Sequence, residues 1–385
     1  MKTVKLSLQS LFGNLNPLIC GLPRRRIVVV RARHGEMLRE VFPEDDAWEF
    51  NPQLRPPIWC LRFWFYRVFL TRNVPRQSRT LVSVVKVVGA RRVVATDVYS
   101  EEFFGAEAFL PKTRLYWVQH GLYLNQADSD IKREAEYPIR NTAIKLLAIS
   151  PYDCANYLRW GVKPSNPIAV GSLKNGYYVN QQTSTKPGDS DEFDICLVEK
   201  GFTINPPNEF FSEVRAYWDR FLLVFAETLQ LLKPRLIIAF SKTDNSDRVV
   251  SHFRNVLSHP FEISDYRDPF ATYRASDCAN VTIGVVSTAL VESLSRQRKV
   301  LSFNCTHHAI WDLPGSPATR VSGDPNFSAE TLRGKITEVM AQSWDEYAAT
   351  NNETIRLLAV NPHETIQLIR NEVLSGMLST TVDAV

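Results

Sequence analysis

The fold of this chain is indicated most clearly by residues 273 to 304, YRASDCANVTIGVVSTALVESLSRQRKVLSFN. A helix ends near its start, and a short apolar strand follows at Val281 to Ile283. Gly284 then provides a turn, a second helix begins after Ser287, and a further apolar strand closes the stretch. Because two parallel strands need a crossover such as a helix between them, this order predicts one βαβ unit of a parallel sheet.

The same alternation of strands and helices continues on both sides of this stretch. In the first half, the runs RRIVVVRA (25–32) and RLYWVQHG (114–121) are typical of strands that are covered on both faces. In the second half, FDICLVEKG (193–201) and PRLIIAFSK (234–242) flank a long amphipathic helix. Each half of the sequence therefore predicts a doubly wound parallel sheet, and the fold class is α/β.

The length of the chain predicts two domains, because 385 residues exceed what one hydrophobic core usually serves. The polar segment 180–192 contains Pro, Gly and Ser and is the expected linker. It separates a first domain over 1–179 from a second domain over 193–345. The remaining residues, 346–385, are expected to form a helical tail.

Composition narrows the class of protein. The net charge of +4 is too small to indicate nucleic-acid binding, although arginines are concentrated in the first hundred residues. The six cysteines show no CxxC pair, which is typical of free thiols in a reducing cytoplasm. Asn14, Asn16 and Pro17 interrupt the weak apolar run near the start, and no segment reaches the ~20 apolar residues that span a bilayer. We therefore expect a cytoplasmic protein.

The segment PPIWCLRFWFYRVFLTR, residues 56–72, mixes six aromatic side chains with three arginines. One interpretation is a helix that lies at the lipid headgroup boundary, which would place the protein peripherally at the inner membrane. The other interpretation is a core helix whose arginines extend along apolar surface to reach solvent. The sequence leaves both open.

Polar residues follow a predicted strand of the first half at Gln119, His120 and Gly121. In doubly wound sheets ligands bind outside the carboxyl ends of the strands, so these residues are expected at a crevice. The His120 imidazole could accept a proton from a sugar hydroxyl or donate one to a phosphate, and the alternative is a histidine that only caps the strand end. Three residues at the close of the first half are expected to face the same crevice: Gly171, Ser172 and Lys174.

A second group of candidate residues lies in the opening stretch. Hydroxyls at Ser287 and Thr288, with the first amides of the following helix, suit an anion. Glu292 lies on the same helix face as Thr288, within reach of a ribose or sugar diol. The alternative is a plain strand–turn–helix with an N-capped helix. Two further candidates, Ser241 and Lys242, end the run PRLIIAFSK, where a lysine can pair with a phosphate or simply be solvated.

Other sites are not supported by the sequence. His307 and His308 with Asp312 lack the remaining ligands and the spacing of a common metal site, so no metal is expected. The sequence contains no phosphate-binding GxxxxGK[ST] loop, no complete GxGxxG and no GxSxG motif. We expect no bound cofactor.

Three motifs together resemble a known group of proteins: VQHG (118–121), VGSLKNG (170–176) and the opening stretch. They are similar to bacterial surface-carbohydrate biosynthesis proteins of GT-B architecture, which include capsule and O-antigen (lipopolysaccharide) glycosyltransferases and Kdo transferases. More distantly, the same motifs resemble those of CDP-glycerol glycerophosphotransferases and UDP-sugar 2-epimerases. The resemblance implies two Rossmann-like domains that face each other across a cleft, and a C-terminal helix.

The resemblance also implies roles for individual residues. His120 and Gly121 would lie on the acceptor side, Ser287, Thr288 and Glu292 would contact the nucleotide of the donor, and Lys242 would supply a basic group. Two departures from the pattern are visible. The run AFSKTDNSD (239–247) replaces the relatives' "K-x-HP" or "R-x-HP", and Arg296-Gln297-Arg298 replaces a glycine.

The activity that follows is transfer of a sugar from a nucleotide-sugar donor to a surface polysaccharide or glycolipid. His120 and Lys242 are the expected catalytic residues, and Gly284, Ser287, Thr288, Glu292 and Ser241 the expected donor contacts. Three alternatives on the same scaffold remain open: a polyol-phosphate transferase, a UDP-sugar 2-epimerase and a non-catalytic component of a polysaccharide assembly complex.

Overall fold

The computed structural model describes residues 26–30, 35–42, 47–50, 61–96, 103, 105–121, 144–159, 167–182, 192–199, 209–240, 246–285, 287–305, 312–315, 319–321, 324 and 327–375. Within them the chain forms two units, each with its own parallel sheet. Unit 1 consists of the described parts of three segments: Met1–Gly121, Ala127–Asn180 and Pro362–Val385. Unit 2 draws on the described parts of Gln181–Asn361.

Strands and helices alternate along unit 1, as the sequence predicted. Its elements are β1 Ile27–Val30, α1 Gly35–Glu40, β2 Ala47–Phe50, α2 Leu61–Phe65, a π-helical turn Tyr66–Leu70, α3 Arg79–Val88, β3 Arg92–Ala95, a 3₁₀ turn Glu107–Phe109, β4 Arg114–Val118, β5 Lys145–Ala148, α4 Pro151–Arg159, β6 Ile168–Ala169 and α5 Leu173–Gln181.

The sheet of unit 1 has the strand order β2-β1-β3-β4-β5-β6, and all its strands are parallel. All four side chains of β1 are buried, which explains its unbroken run of Ile and Val. The strand order changes direction between β1 and β3. Such a switch point is where open α/β sheets bind their ligands.

Unit 2 continues the alternation. Its elements are β7 Phe193–Glu199, α6 Glu209–Leu232, β8 Leu236–Phe240, α7 Ser246–Val256, β9 Glu262–Ile263, α8 Ala271–Asp277, β10 Ala279–Val285, α9 Thr288–Ser295, β11 Lys299–Asn304, β12 Thr319–Arg320, α10 Ala329–Ala341, α11 Trp344–Thr350 and α12 Asn352–Leu358.

The sheet of unit 2 is also parallel, with the order β12-β11-β10-β7-β8-β9. Counted from β7, this is the 3-2-1-4-5-6 order of dinucleotide-binding folds. Its switch point lies between β7 and β10. The helix α9, which contains the predicted donor-binding residues Thr288 and Glu292, is the next element after β10.

One aromatic stripe of α6 supplies much of the core of unit 2. Trp218, Phe221 and Phe225 recur every three or four residues and are fully buried. The Trp218 and Phe221 rings stack at 5.2 Å, and the Phe221 ring lies 4.7 Å from that of Phe303 on β11. Burial of such rings contributes about 1.5–3 kcal/mol each, so this stripe fixes α6 on the sheet.

The helix α13, Pro362–Leu374, belongs to unit 1 rather than to a separate tail. Glu372 forms an ion pair with Lys145 of β5, and the Arg370 Nε donates a hydrogen bond of 2.7 Å to the Val41 carbonyl. The helix also packs closely on α5, because a Cβ built on Gly176 would lie 2.7 Å from the Thr365 Cβ. The predicted tail is therefore divided, since α11 and α12 belong to unit 2.

One predicted turn is wrong. The sequence pattern ended a strand at Ile283 and placed Gly284 in a turn, whereas β10 extends through Val285. Gly284 is paired with Val198 on one side and with Ser302 on the other, so it is an interior strand residue. None of the helices in the described part of the chain is both long enough and apolar enough to cross a membrane.

Candidate functional site

The carboxyl edge of β7 and β10 presents a buried hydroxyl and a buried carboxylate. Because Gly284 of β10 pairs with Val198 of β7, the next residues, Val285 and Glu199, lie level at this edge. Ser287 follows at the N-cap of α9. These residues stand at the switch point of unit 2, where the strand order predicts a ligand.

Ser287 has the backbone of an N-cap but does not cap its helix. Its φ of −151° and ψ of 162° are extended, as at most N-caps, yet its side chain accepts no hydrogen bond from the first turn. The residue is only 7% exposed, and its Oγ has no hydrogen-bond partner among the residues that the structure describes. A buried hydroxyl without a partner costs about 1–3 kcal/mol of folding free energy, so a bound molecule is the partner to consider for this atom.

Four other serines at helix starts behave differently. Ser328 accepts from the Thr331 amide, and Ser343 forms a complete capping box with Glu346 before α11. Ser150 and Ser172 likewise accept amide hydrogen bonds from the first turns of α4 and α5. For Ser287 the sequence left this capping role open as the alternative to an anion site. Its hydroxyl is instead held at the positive end of a helix, a position that suits an anion.

A charged side chain lies on the helix that begins after this hydroxyl. Glu292 is buried on α9, one turn beyond Thr288, which is half-buried. The spacing places the two on one helix face, as predicted. A carboxylate there is suited to accept hydrogen bonds from vicinal hydroxyls, which is the chemistry of a ribose or sugar.

Gly284 keeps the strands and α9 in close contact. A Cβ built on Gly284 would lie 3.0 Å from the Val198 carbonyl oxygen and 3.8 Å from the Leu290 Cδ2. The first distance is tighter than an ordinary carbon–oxygen contact, so a side chain would displace the Val198 carbonyl of β7, whereas the second is an ordinary contact. The role visible for Gly284 is therefore the close packing that positions Ser287.

Several predicted residues of this unit lie outside the described residues. They include Ser241 and Lys242 after β8, and also His307 and His308. Asp312 is described, and its carboxylate accepts a 2.8 Å hydrogen bond from the Asn304 side chain. In the described ranges no group of three or more His, Cys, Asp or Glu side chains is placed to hold a metal.

In unit 1 the Gln119 side chain bridges the ends of two strands. Its Oε1 accepts a 3.0 Å hydrogen bond from the Ile149 amide, beyond β5, and its Nε2 donates to the Gly121 carbonyl at 2.8 Å. The residue is fully buried. The amide group is thus committed to the backbone, and it fixes the loop that leaves β4.

His120 is half-buried and held by the neighbouring strand. Its Nδ1 lies 2.8 Å from the Thr96 carbonyl oxygen, directly after β3. A carbonyl can only accept, so Nδ1 carries the proton, and in the neutral ring the basic nitrogen is Nε2. The contact orients the imidazole at the carboxyl edge of the sheet, beside the strand that borders the switch point of unit 1.

The other predicted residues of unit 1 surround the start of α5. Gly171 has a left-handed φ of 89°, which favours glycine, and Ser172 caps the helix through its Oγ and its carbonyl. Lys174 is half-buried in the first turn. They follow β6, two strand spacings or about 10 Å from β4, so they share the carboxyl edge with His120.

Two residues at the carboxyl edges of the two sheets were not predicted from the sequence. Thr96 orients His120 through its backbone, and no side-chain pattern signals a carbonyl contact. Glu199 is a buried carboxylate at the switch point of unit 2. Its position at the end of an apolar run was visible, but its importance depends on the strand order, which places β7 beside β10.

No family model matches the sequence, and no curated protein matches it. Solved structures match the fold. A UDP-N-acetylglucosamine 2-epimerase is 14% identical, with a TM-score of 0.56 over 94% of this chain and 99% of that one. The UDP-GlcNAc 2-epimerase of Neisseria meningitidis bound to UDP-GlcNAc is 14% identical, with a TM-score of 0.52 over 94% and 96%.

A putative UDP-N-acetylglucosamine 2-epimerase of Listeria monocytogenes is 12% identical, with a TM-score of 0.55 over 96% of this chain and 94% of that one. Likeness at this level of identity concerns the fold alone. Both sheets of the chain are parallel and wound with helices, in agreement with these structures. The chain therefore has the two-domain, Rossmann-like GT-B fold that its sequence predicted.

Proposed function

We propose that the chain binds a nucleotide-sugar at the start of α9 and transfers the sugar to a surface-polysaccharide or glycolipid acceptor. The observation that carries this proposal is the Ser287 hydroxyl, which is buried, has no hydrogen-bond partner among the described residues and lies at a helix N-terminus on the switch point. A diphosphate would supply an acceptor oxygen for this hydroxyl, and helix N-termini favour anions.

The donor contacts divide between two chemical groups. Ser287 and the first amides of α9 would hold the phosphates, while Glu292 would accept hydrogen bonds from the ribose or sugar hydroxyls. Thr288 lies between them. Lys242 and Ser241 are proposed as further contacts to the leaving phosphate, and Gly284 acts through packing. This arrangement stabilises the negative charge that develops on the nucleotide as the glycosidic bond breaks.

His120 is proposed as the base of the transfer. The acceptor hydroxyl would give its proton to Nε2 while its oxygen bonds to the anomeric carbon, and the bond from that carbon to the phosphate oxygen breaks with its electron pair leaving on the nucleotide. The Thr96 carbonyl supports this role because it holds the proton on Nδ1. If the enzyme retains the anomeric configuration, His120 would instead donate a proton to the leaving phosphate. Gly121, Gly171, Ser172 and Lys174 are proposed to line the acceptor side, with Gln119 fixing the loop.

The second candidate is a UDP-sugar 2-epimerase. It is favoured by the three solved structures with TM-scores of 0.52 to 0.56, all named as UDP-GlcNAc 2-epimerases. The two reactions differ in what they consume. An epimerase changes the configuration at C2 of the nucleotide-sugar without an acceptor, while a transferase releases free nucleotide only when an acceptor is present. A polyol-phosphate transferase would be identified by activity with a CDP-linked polyol.

The first experiment is a thermal-shift screen of the purified chain against UDP, CDP, CMP, GDP and ADP. One base should raise the melting temperature, and the matching nucleotide-sugars are then followed by NMR with and without glycan acceptors. Release of nucleotide that depends on acceptor supports transfer, and epimerised sugar without acceptor supports the second candidate. No stabilisation by any nucleotide would overturn both and favour the non-catalytic component. No metal or cofactor is added, because none is expected.

Two isosteric variants test the division of contacts. Ser287→Ala should weaken the selected nucleotide diphosphate and inorganic pyrophosphate alike, because both use the phosphate site. Glu292→Gln should weaken the nucleotide by about tenfold and leave pyrophosphate unchanged. Equal losses of both ligands in both variants would contradict the assignment of Glu292 to the sugar or ribose.

A further inference from the structure

The acidic residues of this chain are absent from one long stretch. Between Asn51 and Thr96 the sequence has eight arginines, one lysine and no Asp or Glu. The whole chain has 45 basic and 41 acidic side chains, so outside this stretch the acidic ones outnumber the basic ones by five. The stretch is thus a local positive region on a protein whose remainder is weakly acidic.

The same stretch contains an exposed apolar surface. Phe65, Val68 and Phe69 are 53%, 48% and 58% exposed, and they are three of the five large apolar side chains that are exposed in the described part of the chain. The Phe65 and Phe69 rings lie 5.3 Å apart, so they form one continuous patch. Phe63, by contrast, is fully buried and anchors α2 in unit 1.

Hydrogen bonds hold this patch in position. It lies where α2 passes into the π-helical turn, and the buried Thr71 closes the turn by donating from its Oγ1 to the Arg67 carbonyl at 2.9 Å. Arg79 braces the next loop by donating to the carbonyls of Val74 and Arg72 at 2.9 Å and 2.8 Å. π-Helical turns are rare and are often found at functional sites.

Arginines border the apolar side chains. The Arg67 guanidinium lies over the Trp64 ring and that of Arg72 over the Phe69 ring, at 5.8 Å and 5.9 Å from the ring centroids. Arg72 and Arg76 are exposed, and neither forms an ion pair with any residue of the described ranges. Aromatic tips flanked by arginines match the apolar and anionic layers of a lipid surface.

We propose that Phe65, Val68 and Phe69 insert into an anionic lipid bilayer while Arg67, Arg72 and Arg76 contact its headgroups. A second copy of the chain is a poorer occupant, because a two-fold contact would bring the same arginines together with no acidic residue of the stretch to compensate. A nucleic acid offers phosphates but no apolar layer for the rings. This surface, called the lipid patch below, is independent of nucleotide binding.

Vesicle co-sedimentation of the full chain tests the proposal. The chain should bind vesicles with about 30% phosphatidylglycerol, bind neutral phosphatidylcholine vesicles at least tenfold more weakly, and lose most binding in about 0.5 M salt. Phe65→Ser/Phe69→Ser should weaken binding at least tenfold. Arg72→Glu/Arg76→Glu should do the same at low salt.

Matched variants in unit 2 serve as controls. Leu223→Ser/Leu231→Ser removes two apolar side chains that are 61% and 49% exposed, and Arg333→Glu/Lys335→Glu reverses two exposed charges. Both should bind vesicles like the parent chain. Binding that is unaffected by the Phe65→Ser/Phe69→Ser change, or no binding to the anionic vesicles, would overturn the proposal.

Two further outcomes identify another occupant and also overturn the proposal. One is a dimer in sedimentation equilibrium without lipid that the Phe65→Ser/Phe69→Ser change abolishes. The other is binding of a DNA or RNA duplex that depends on Arg72 and Arg76, with no binding to vesicles. Because the assay contains no nucleotide-sugar, it gives its answer whether or not the proposed transfer reaction is found.

Discussion

Replacing Ser287 with alanine should separate stability from nucleotide binding. The hydroxyl makes no hydrogen bond within the described part of the chain, so its removal breaks none there and relieves the desolvation of a buried polar group. The free energy of unfolding of the nucleotide-free variant should be unchanged or higher by up to about 1 kcal/mol. In a helix that Ser287 capped, the same change would cost about 1 kcal/mol.

The loss in binding can be read from the same melting curves. At a nucleotide concentration 100 times the parent's Kd, the ligand should stabilise the parent by about 2.7 kcal/mol. Loss of one hydrogen bond to a charged phosphate weakens binding about tenfold, which leaves about 1.4 kcal/mol of stabilisation in the variant. For a unit of 150–250 residues, the melting temperature should therefore rise by roughly 5–11 °C in the parent and by about half as much in the variant.

Ser343→Ala is the matched control. Ser343 forms the capping box of α11, so its replacement should lower the free energy of unfolding by about 1 kcal/mol without changing the stabilisation by nucleotide. The assay is differential scanning calorimetry with and without the selected nucleotide. If Ser287→Ala destabilises the free chain as Ser343→Ala does and binds nucleotide normally, Ser287 is only a helix cap and the reasoning is refuted.

Three further changes probe the proposed catalytic base, a buried phenol and a strained backbone. His120→Ala should lower turnover at least tenfold while the melting temperature stays nearly unchanged, and equal turnover would remove His120 from the mechanism. Burial raises the pKa of Tyr347 to about 12 from its ordinary value near 10, and its hydroxyl bridges the amide and carbonyl of Val300. Because the unfolded phenol ionises first, the stability that this shift contributes is complete below about pH 10 and is lost as the pH rises through 12. Between pH 10 and pH 12 the parent should lose about 2 kcal/mol more than Tyr347→Phe in urea titrations. Gln297 has a left-handed φ of 62° where the related pattern has glycine, so Gln297→Gly should raise the free energy of unfolding by up to about 1 kcal/mol in urea titrations and Gln297→Val should lower it.

The sequence predicted the central strands of both sheets because their apolar runs are strong. β1, β4, β7 and β8 coincide with the apolar runs identified in the sequence. The turn at Gly284 was wrong for a physical reason. Glycine in a sequence can indicate a turn, but it can also indicate that neighbouring atoms approach the backbone closely. At Gly284 the second applies, because the Val198 carbonyl oxygen and the Leu290 side chain lie next to it.

The features that could not be predicted depend on contacts between residues far apart in the sequence. The pattern of α13 predicts a helix, but only its contacts with Lys145 and Val41 show that it packs in unit 1. The candidate residues Ser287 and Glu292 were identified from local spacing, whereas the importance of Glu199 follows from a strand order that no local pattern encodes. The split of the aromatic segment into a buried Phe63 and an exposed patch likewise depends on the tertiary structure.

The most direct test of the account is a crystal structure of the chain with the nucleotide diphosphate selected by the thermal-shift screen. We predict a phosphate oxygen about 2.7–3.2 Å from the Ser287 Oγ at the start of α9, with the ribose or sugar hydroxyls on Glu292. A nucleotide bound elsewhere in the chain, with the Ser287 hydroxyl still without a partner, would contradict it.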